Sequence, residues 1–293
     1  MIKLGIIGIS KGNGHPYSWS AIFNGYNPEA MKDCGFPVIS TYLSEQCFPE
    51  ATITNAEVTH VWAQSREQAE HIALSANIAN VVDTPEDMIG EIDALLLARD
   101  DSENHLRFAR PFIRAGLPVY IDKPLALSKE KANYFFDLEQ YPAQIFTCSA
   151  LRFSNELLLT PEDRAMLGDI KHVSGRVPKG WDKYIIHVID PILQNIGYQG
   201  EILDVSKLIW RDRTLVNLRW GSGITCSLQS FGDVPVGIEI VFVGTGGSKR
   251  LTFSDPFSAF KNALQTFIDD SVVNRISHKK HVLKTVELIE LGI

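Results

Sequence analysis

The sequence predicts an α/β protein in which a doubly wound parallel sheet is followed by a second α/β part built on a mainly antiparallel sheet. Three observations predict it. Short strand-like apolar runs alternate with amphipathic helix-like segments from Met1 to about the fifth strand, as right-handed βαβ crossovers require. One of those runs, "IDALLLAR" (Ile92 to Arg99), is almost uniformly apolar, as a central strand buried on both faces should be. From Ile145 the texture changes to strand runs broken by hairpin-like turns at Gly221-Ser222-Gly223 and Gly244-Thr245-Gly246-Gly247.

Each element follows from local pattern. Lys3 to Ile9 is short, β-branched and ended by glycine, which predicts a buried strand. "HPYSWSAIFNGYN" carries helical spacing with Asn24-Gly25 as its stop. Glu57 to Ala63 is the second strand and "SREQAEHIALSAN" the helix after it. "IANVVDT" and the proline-opened "PEDMIGE" give a short strand and a short helix. "SENHLRFARPFIRAG" is a helix that Pro111 should bend or restart, and "PVYIDKP" is the fifth strand. In the second part, "AQIFTCSALRFS", "DIKHVSGRV", "KLIWRDRTLVNLRW", "GITCSLQSF", "VGIEIVFVGT" and "SKRLTFS" read mostly as strands. Two amphipathic helices, "DPFSAFKNALQTFIDD" and "HKKHVLKTVELIELGI", close the chain. The boundary between the parts is expected at Lys123, giving domains 1–123 and 124–293.

Bulk properties exclude several function classes. The 293 residues carry a formal net charge of -7, against the lysine and arginine excess that nucleic-acid binding needs. No apolar stretch approaches the roughly 20 residues that cross a bilayer, and the first apolar run is too short for a signal segment. Cys34, Cys47, Cys148 and Cys226 are scattered, without metal-ligand spacing. Reduced thiols in a cytoplasmic protein are expected, and no metal site. His278 and His281 share a helix spacing, but the lysines around them predict a solvated helix start.

Ligands on open parallel sheets sit beyond the carboxyl ends of the strands. That geometry selects Gly8 to His15, Ala63 to Arg66, Arg99 to Ser102 and Asp122 to Pro124. The first of these, "GIIGISKGNGHPYS", is a glycine-rich turn between strand and helix, where backbone N–H groups can cradle phosphate. Its spelling is unusual. Counting from Gly8, the second and third glycine positions of G-x-G-x-x-G hold Ser10 and Asn13, while Gly12 and Gly14 stand beside them. Asn13 should push helix and strand apart unless the loop is re-routed through those glycines. His15 and Tyr17 follow, an imidazole and a phenol at the start of the helix. After the second strand, Ser65 and Arg66 are groups that match a 2′-phosphate, with no acid before Glu67.

"VYIDKPLALS" resembles the E-K-P-L-A motif of the Gfo/Idh/MocA oxidoreductases, the glucose–fructose oxidoreductase and inositol dehydrogenase family. The block from "LLLARDDSENHLRF" through "YFFDL" is similar to that family almost throughout, and "ALRFSNEL" and "IIHVIDPILQNIG" resemble its next two blocks. The resemblance implies an N-terminal Rossmann domain and a C-terminal α/β domain with an open antiparallel sheet. It implies NAD or NADP as cofactor, NADP slightly preferred on Ser65 and Arg66, and a sugar or polyol substrate. Lys123 corresponds to the family's lysine near nicotinamide and substrate hydroxyl, and His187 to its acid/base histidine. The family's aspartate four residues before that histidine is Lys183 here, with Tyr184 beside it. Lys183 and Tyr184 are therefore the expected positioning groups, and Lys183 and Arg152 can grip an acidic substrate. Gly8, Ser10, Gly12, Asn13, Gly14, Ala98, Asp100 and Asp122 complete the expected cofactor contacts, with Arg99-Asp100-Asp101 standing where the family has T-P-N. Relatives commonly associate through the exposed sheet face, which implies a homodimer or homotetramer, with "GIEIVFVG" as the apolar edge. These departures leave a second class open, a cofactor-free descendant acting as a sugar-binding or regulatory protein.

Overall fold

Strands β1 (Ile2–Ile7), β2 (Ala56–Trp62), β3 (Asn80–Val81), β4 (Ala94–Leu97), β5 (Val119–Ile121) and β6 (Ile145–Phe146) form one sheet in the order β3-β2-β1-β4-β5-β6. All its pairings are parallel, as the computed structural model, which describes residues 1–293, shows. The order reverses between β1 and β4, so a crevice opens beyond their carboxyl ends. β1 and β4 bury almost every side chain because helices cover both faces. The chain divides into two units. The first is Met1–Leu125, Asn133–Thr147 and Ala263–Lys279; the second is Ala126–Ala132, Cys148–Asn262 and Lys280–Ile293.

In the first unit, α1 (His15–Asn24), α2 (Pro28–Lys32) and α3 (Pro37–Ser44) precede β2, and α4 (Arg66–Ser75) follows it. Three of these four helices open on a proline in their first turn, where a missing N–H costs nothing. α5 (Ser102–Arg114) runs between β4 and β5 as one helix with Pro111 inside it. The expected restart at Pro111 does not occur. Ile145–Phe146, expected with the second sheet, instead pairs with β5 as the last strand of the first. α6 (Lys129–Asp137) precedes it.

The second unit contains α7 (Pro161–Leu167), β7 (Ile170–Val177), α8 (Trp181–Tyr184), α9 (Ile186–Ile196) and then β8 (Ile202–Trp210), β9 (Arg213–Trp220), β10 (Thr225–Ser230), β11 (Glu239–Gly244) and β12 (Gly247–Thr252). Its sheet runs β12-β11-β7-β10-β9-β8, antiparallel except for β10 beside β7. Its core gathers Val173, Val188, Ile192, Leu228 and Phe242 among others, so α9 lies over one face of the sheet. "KLIWRDRTLVNLRW" is two strands of a hairpin, β8 and β9, rather than one run. "GIEIVFVG" lies inside the sheet as β11; the edges are β12 and β8, and on β8 Leu203, Val205, Leu208, Ile209 and Trp210 are exposed. α10 (Pro256–Thr266) and α11 (Lys279–Glu290) are the closing helices, with a wider helical turn at Phe267–Asn274 after α10.

Candidate functional site

Ladder bonds continue past the strand ends of the first sheet. Gly8 donates to the Trp62 carbonyl at 3.1 Å, Ala98 to Ile7 at 2.9 Å and Asp122 to Leu97 at 3.0 Å. The residues beyond β1, β4 and β5 are thereby held at one level. There the sequence supplies polar side chains, and the structure buries them together. Ser10 Oγ donates to Asp100 Oδ1 at 2.6 Å, and Asn13 Nδ2 donates to Asp122 Oδ2 at 2.7 Å. His15 Nδ1 lies 2.6 Å from the same Asp122 oxygen, and Lys123 Nζ lies 3.7 Å from Asp100 Oδ2. Ser10, Asn13, Asp100, Asp122 and Lys123 are all buried.

The turn explains how this is possible. A Cβ at Gly8 would sit 2.0 Å from Pro16 Cγ, so only glycine lets α1 start this close to β1. Ser10 and Asn13 close a tight turn through the Asn13 N–H and Ser10 carbonyl, 3.0 Å apart. Asn13 does not wedge helix from strand as its bulk suggested. Its side chain reaches across to Asp122, and its Oδ1 accepts the His15 N–H at 2.8 Å. Gly12 turns outward at φ 81° with no atom within 4 Å of where a Cβ would be. Gly14 is the N-cap of α1 and has no side chain to offer, so Asn13 Oδ1 takes the first N–H of the helix.

Charge is balanced locally. Burial alone would raise the Asp122 carboxyl, but the His15 ring, the Lys123 ammonium and the Lys123 N–H outweigh it and hold Asp122 well below the usual carboxylate range. Arg99 binds Asp101 through two nitrogens, at 2.9 and 2.6 Å, and gives a third bond to the Ile9 carbonyl at 2.7 Å. Burial pushes the His105 imidazole down, opposed by the Leu125 and Arg99 carbonyls that its two ring nitrogens face at 3.3 and 2.6 Å. The Ile9 N–H goes to Gln64 Oε1 at 2.8 Å. Sequence reasoning missed Arg99, Gln64 and the exposed Lys11 as site residues. All three fall inside or beside the strand-end segments that the fold class selects.

Four of the expected contact residues are engaged within the first unit. Ser65 Oγ caps α4 by accepting the Gln68 N–H, and Arg66 is paired with Glu70 and Asp83, each at 2.8 Å. Ala98 is fully buried with its N–H in the ladder. Tyr17 turns toward α4, its hydroxyl 2.8 Å from His71 Nδ1. Burial, reinforced by Cys34, pushes that phenol up to about 12.

In the second unit, His187 Nδ1 lies 2.8 Å from Ser149 Oγ, and the Tyr184 ring meets the imidazole edge-on at 5.1 Å. Asp190 is buried one turn further along α9. Its Oδ2 accepts the Ser149 N–H at 2.6 Å and its Oδ1 accepts Thr285 Oγ1 at 2.5 Å, with His281 Nε2 at 3.4 Å. Burial opposes ionisation of Asp190, but His281, Arg152 and Thr285 hold its carboxyl below the ordinary value. His281 is thus no solvated helix start, and His278 pairs with Asp270 at 2.7 Å. Arg152 donates to Gln194 at 3.0 Å. Tyr184 accepts from Lys179, and Lys183 sits half-buried on α8 beside it.

Comparison with known proteins follows this geometry. Residues 35–147 match the model of the GFO_IDH_MocA oxidoreductase family, described as having an NAD-binding Rossmann fold. The glycine-rich turn precedes the matched segment. Among curated proteins no sequence match was found. Solved structures with the same fold include apo scyllo-inositol dehydrogenase from Lactobacillus casei, with 15% identity over 99% of this chain and 95% of that one, at a TM-score of 0.74. The same enzyme bound to NAD(H) and scyllo-inositol has a TM-score of 0.69 at 15% identity, over 99% of this chain and 95% of that one. Myo-inositol 2-dehydrogenase from Lactobacillus plantarum has a TM-score of 0.73 at 14% identity, again over 99% and 95%. The residues here fit the diphosphate of a dinucleotide. Gly12 leaves open the space a side chain would fill, and Lys11 stands exposed beside it. The matched segment and the parallel sheet make the first unit similar to the Gfo/Idh/MocA oxidoreductases, and the solved structures share the fold.

Proposed function

We propose that this protein is an NAD(P)-dependent oxidoreductase that moves a hydride between nicotinamide and a carbinol or carbonyl carbon of a polyol or sugar. The observation that carries it is the buried cluster of Lys123, Asp100, Ser10, Asp122, Asn13 and His15 at the strand ends where the sheet order reverses. The inositol dehydrogenases that share the fold support a polyol as substrate.

Gly12 and Gly14 with Lys11 would hold the diphosphate, by backbone N–H groups and one ammonium, while Gly8 lets α1 start close to β1. When bound, the nicotinamide supplies the hydride chemistry. Lys123 brings an ammonium whose charge is countered by Asp100, so it donates to the reacting oxygen and can pass a proton to it in the reductive direction. His187, oriented through Ser149, is the second proton-handling group, with Tyr184 and Lys183 beside it as substrate contacts. Ser65 and Arg66 are committed to Gln68, Glu70 and Asp83, which favours NAD over NADP.

The exposed apolar edge strand β8 supports association of two copies through the second sheet, and four free cysteines support a reducing cytoplasm. The cofactor-free reading draws on a different observation. Both backbone groups of Ile9 are occupied, by Gln64 and Arg99, at the point where a phosphate would approach. Titrating the chain with NADH and NADPH, read by energy transfer from tryptophan, separates the two. Saturable binding at micromolar concentration is expected. Replacing Lys123 by Met should then leave binding in place and lower kcat by about 100-fold or more.

A further inference from the structure

The imidazole of His187 faces a hydroxyl. In the first unit, beyond the strand ends, another imidazole faces a buried carboxylate. His15, first residue of α1, places Nδ1 2.6 Å from Asp122 Oδ2, and its ring stacks on Trp19 at 5.1 Å with 14° between the planes. Asp122 is 1% exposed, and both its oxygens are engaged. Oδ1 accepts the Lys123 N–H at 2.8 Å, while Oδ2 accepts Asn13 Nδ2 together with the His15 ring. An ionised carboxylate only accepts, so the nitrogen facing Asp122 is the donor Nδ1–H, and whenever the ring is neutral its lone pair lies on Nε2. Ring plane, tautomer and compensating charge are therefore all set before any ligand arrives. The side chain keeps 17% of its surface exposed, enough for a ligand atom to reach it.

Lys123 and His15 flank one carboxylate, the first through its backbone and the second through its ring. Their chemistry is complementary. An ammonium has donors and no lone pair, so a hydroxyl that must lose its proton also needs an acceptor. His15 Nε2 is such an acceptor, on the same unit as Lys123.

We infer that His15 is an acid–base residue of the proposed oxidoreductase, with Asp122 as its positioning residue. In the oxidative direction the carbinol O–H bond breaks and its proton goes to Nε2, while the C–H electron pair leaves as hydride to nicotinamide and the C=O bond forms. The imidazolium so made is matched by the Asp122 carboxylate. In the reductive direction Nε2–H returns the proton to the nascent alkoxide. The inference rests on the oxidoreductase reading above.

The test is imidazole 1H–15N NMR of the full chain without added ligand, with His15 assigned by His15→Gln. The charged groups facing the ring are Asp122 directly and Lys123 through it; Asp100, Arg99 and Asp101 complete the cluster. Wild type should show a downfield Nδ1–H for His15 in the neutral ring, with Nε2 as the titrating nitrogen. Asp122→Asn should shift the tautomer toward Nε2–H. A neutral ring protonated on Nε2 in wild type overturns the inference, and that result needs no variant to fold. With NAD and myo- or scyllo-inositol as probes, His15→Gln should lower kcat by about 100-fold or more while NADH affinity stays within about threefold. Unchanged kcat in His15→Gln overturns the inference and leaves the oxidoreductase reading intact. Wild type that binds neither NADH nor NADPH overturns that reading, and the inference with it.

Discussion

Ser10 and Asp100 hold one another twice: the Ser10 hydroxyl donates to Asp100 Oδ1 at 2.6 Å and accepts the Asp100 N–H at 3.1 Å. The serine that replaces a glycine in the phosphate turn is therefore a clasp between the ends of β1 and β4. Ser10→Ala would leave the buried Asp100 N–H without its acceptor and the carboxylate short of a donor. The expected cost is about 1–3 kcal/mol of unfolding free energy, measured by urea denaturation. Ser10→Gly should cost at least as much, although it restores the common spelling of the turn.

Acid should weaken the fold through two buried carboxylates, Asp122 and Asp190. Both are held below the ordinary carboxylate value in the folded chain, so the unfolded chain takes up protons more readily. Stability is then full above the unfolded value of about 4 and drains as pH falls toward the native values. Urea midpoints measured downward from pH 6 should fall steeply below about pH 4. Asp190→Asn should flatten that fall and lower stability at neutral pH, because Ser149, Thr285 and His281 lose their charged acceptor.

Alkali should act through Tyr17, whose phenol is pushed up to about 12 from an ordinary 10.0. The folded chain keeps this proton while the unfolded chain releases it. Stability therefore falls as pH rises from about 10 toward 12, the opposite slope to the carboxylates. Tyr17→Phe should remove part of this loss while costing the bond to His71. Thermal melts of the two proteins between pH 9 and about 11 measure the difference.

Arg66 is held by Glu70 and Asp83, and so is not presented to a 2′-phosphate. Both pairs are exposed, so each contributes little to stability. NADH should bind more tightly than NADPH, and Glu70→Ala with Asp83→Ala should narrow the gap by freeing the guanidinium. Competition titrations on the wild type and this double variant report the ratio directly.

Much of the frame was legible because hydrophobic period and turn residues report it. The apolar run at Ala94–Leu97 and the glycine stop after β1 gave the parallel sheet and the strand ends to inspect. The short pair Ile145–Phe146 was not assigned to its sheet, since two residues carry no period that distinguishes parallel from antiparallel neighbours. "GIEIVFVG" looked like an edge because it is apolar, yet apolarity is what an interior strand such as β11 needs. Within the site, residue types at strand ends were legible and their partners were not. Asn13 with Asp122 and Ser149 with His187 are separated by 109 and 38 residues, and no local pattern encodes such pairs. His281 looked solvated from its lysine neighbours, but one helix face carries it toward Asp190 while the lysines take the other.

The central claim is that the first unit's glycine-rich turn receives a nicotinamide dinucleotide. It is tested most directly by NADH titration of wild type and of Gly12→Val, which fills the open space at φ 81°. Wild type should saturate at micromolar NADH, and Gly12→Val should bind at least about tenfold more weakly, a difference of about 1.4 kcal/mol. Absence of saturable binding to wild type up to millimolar NADH and NADPH would contradict the account.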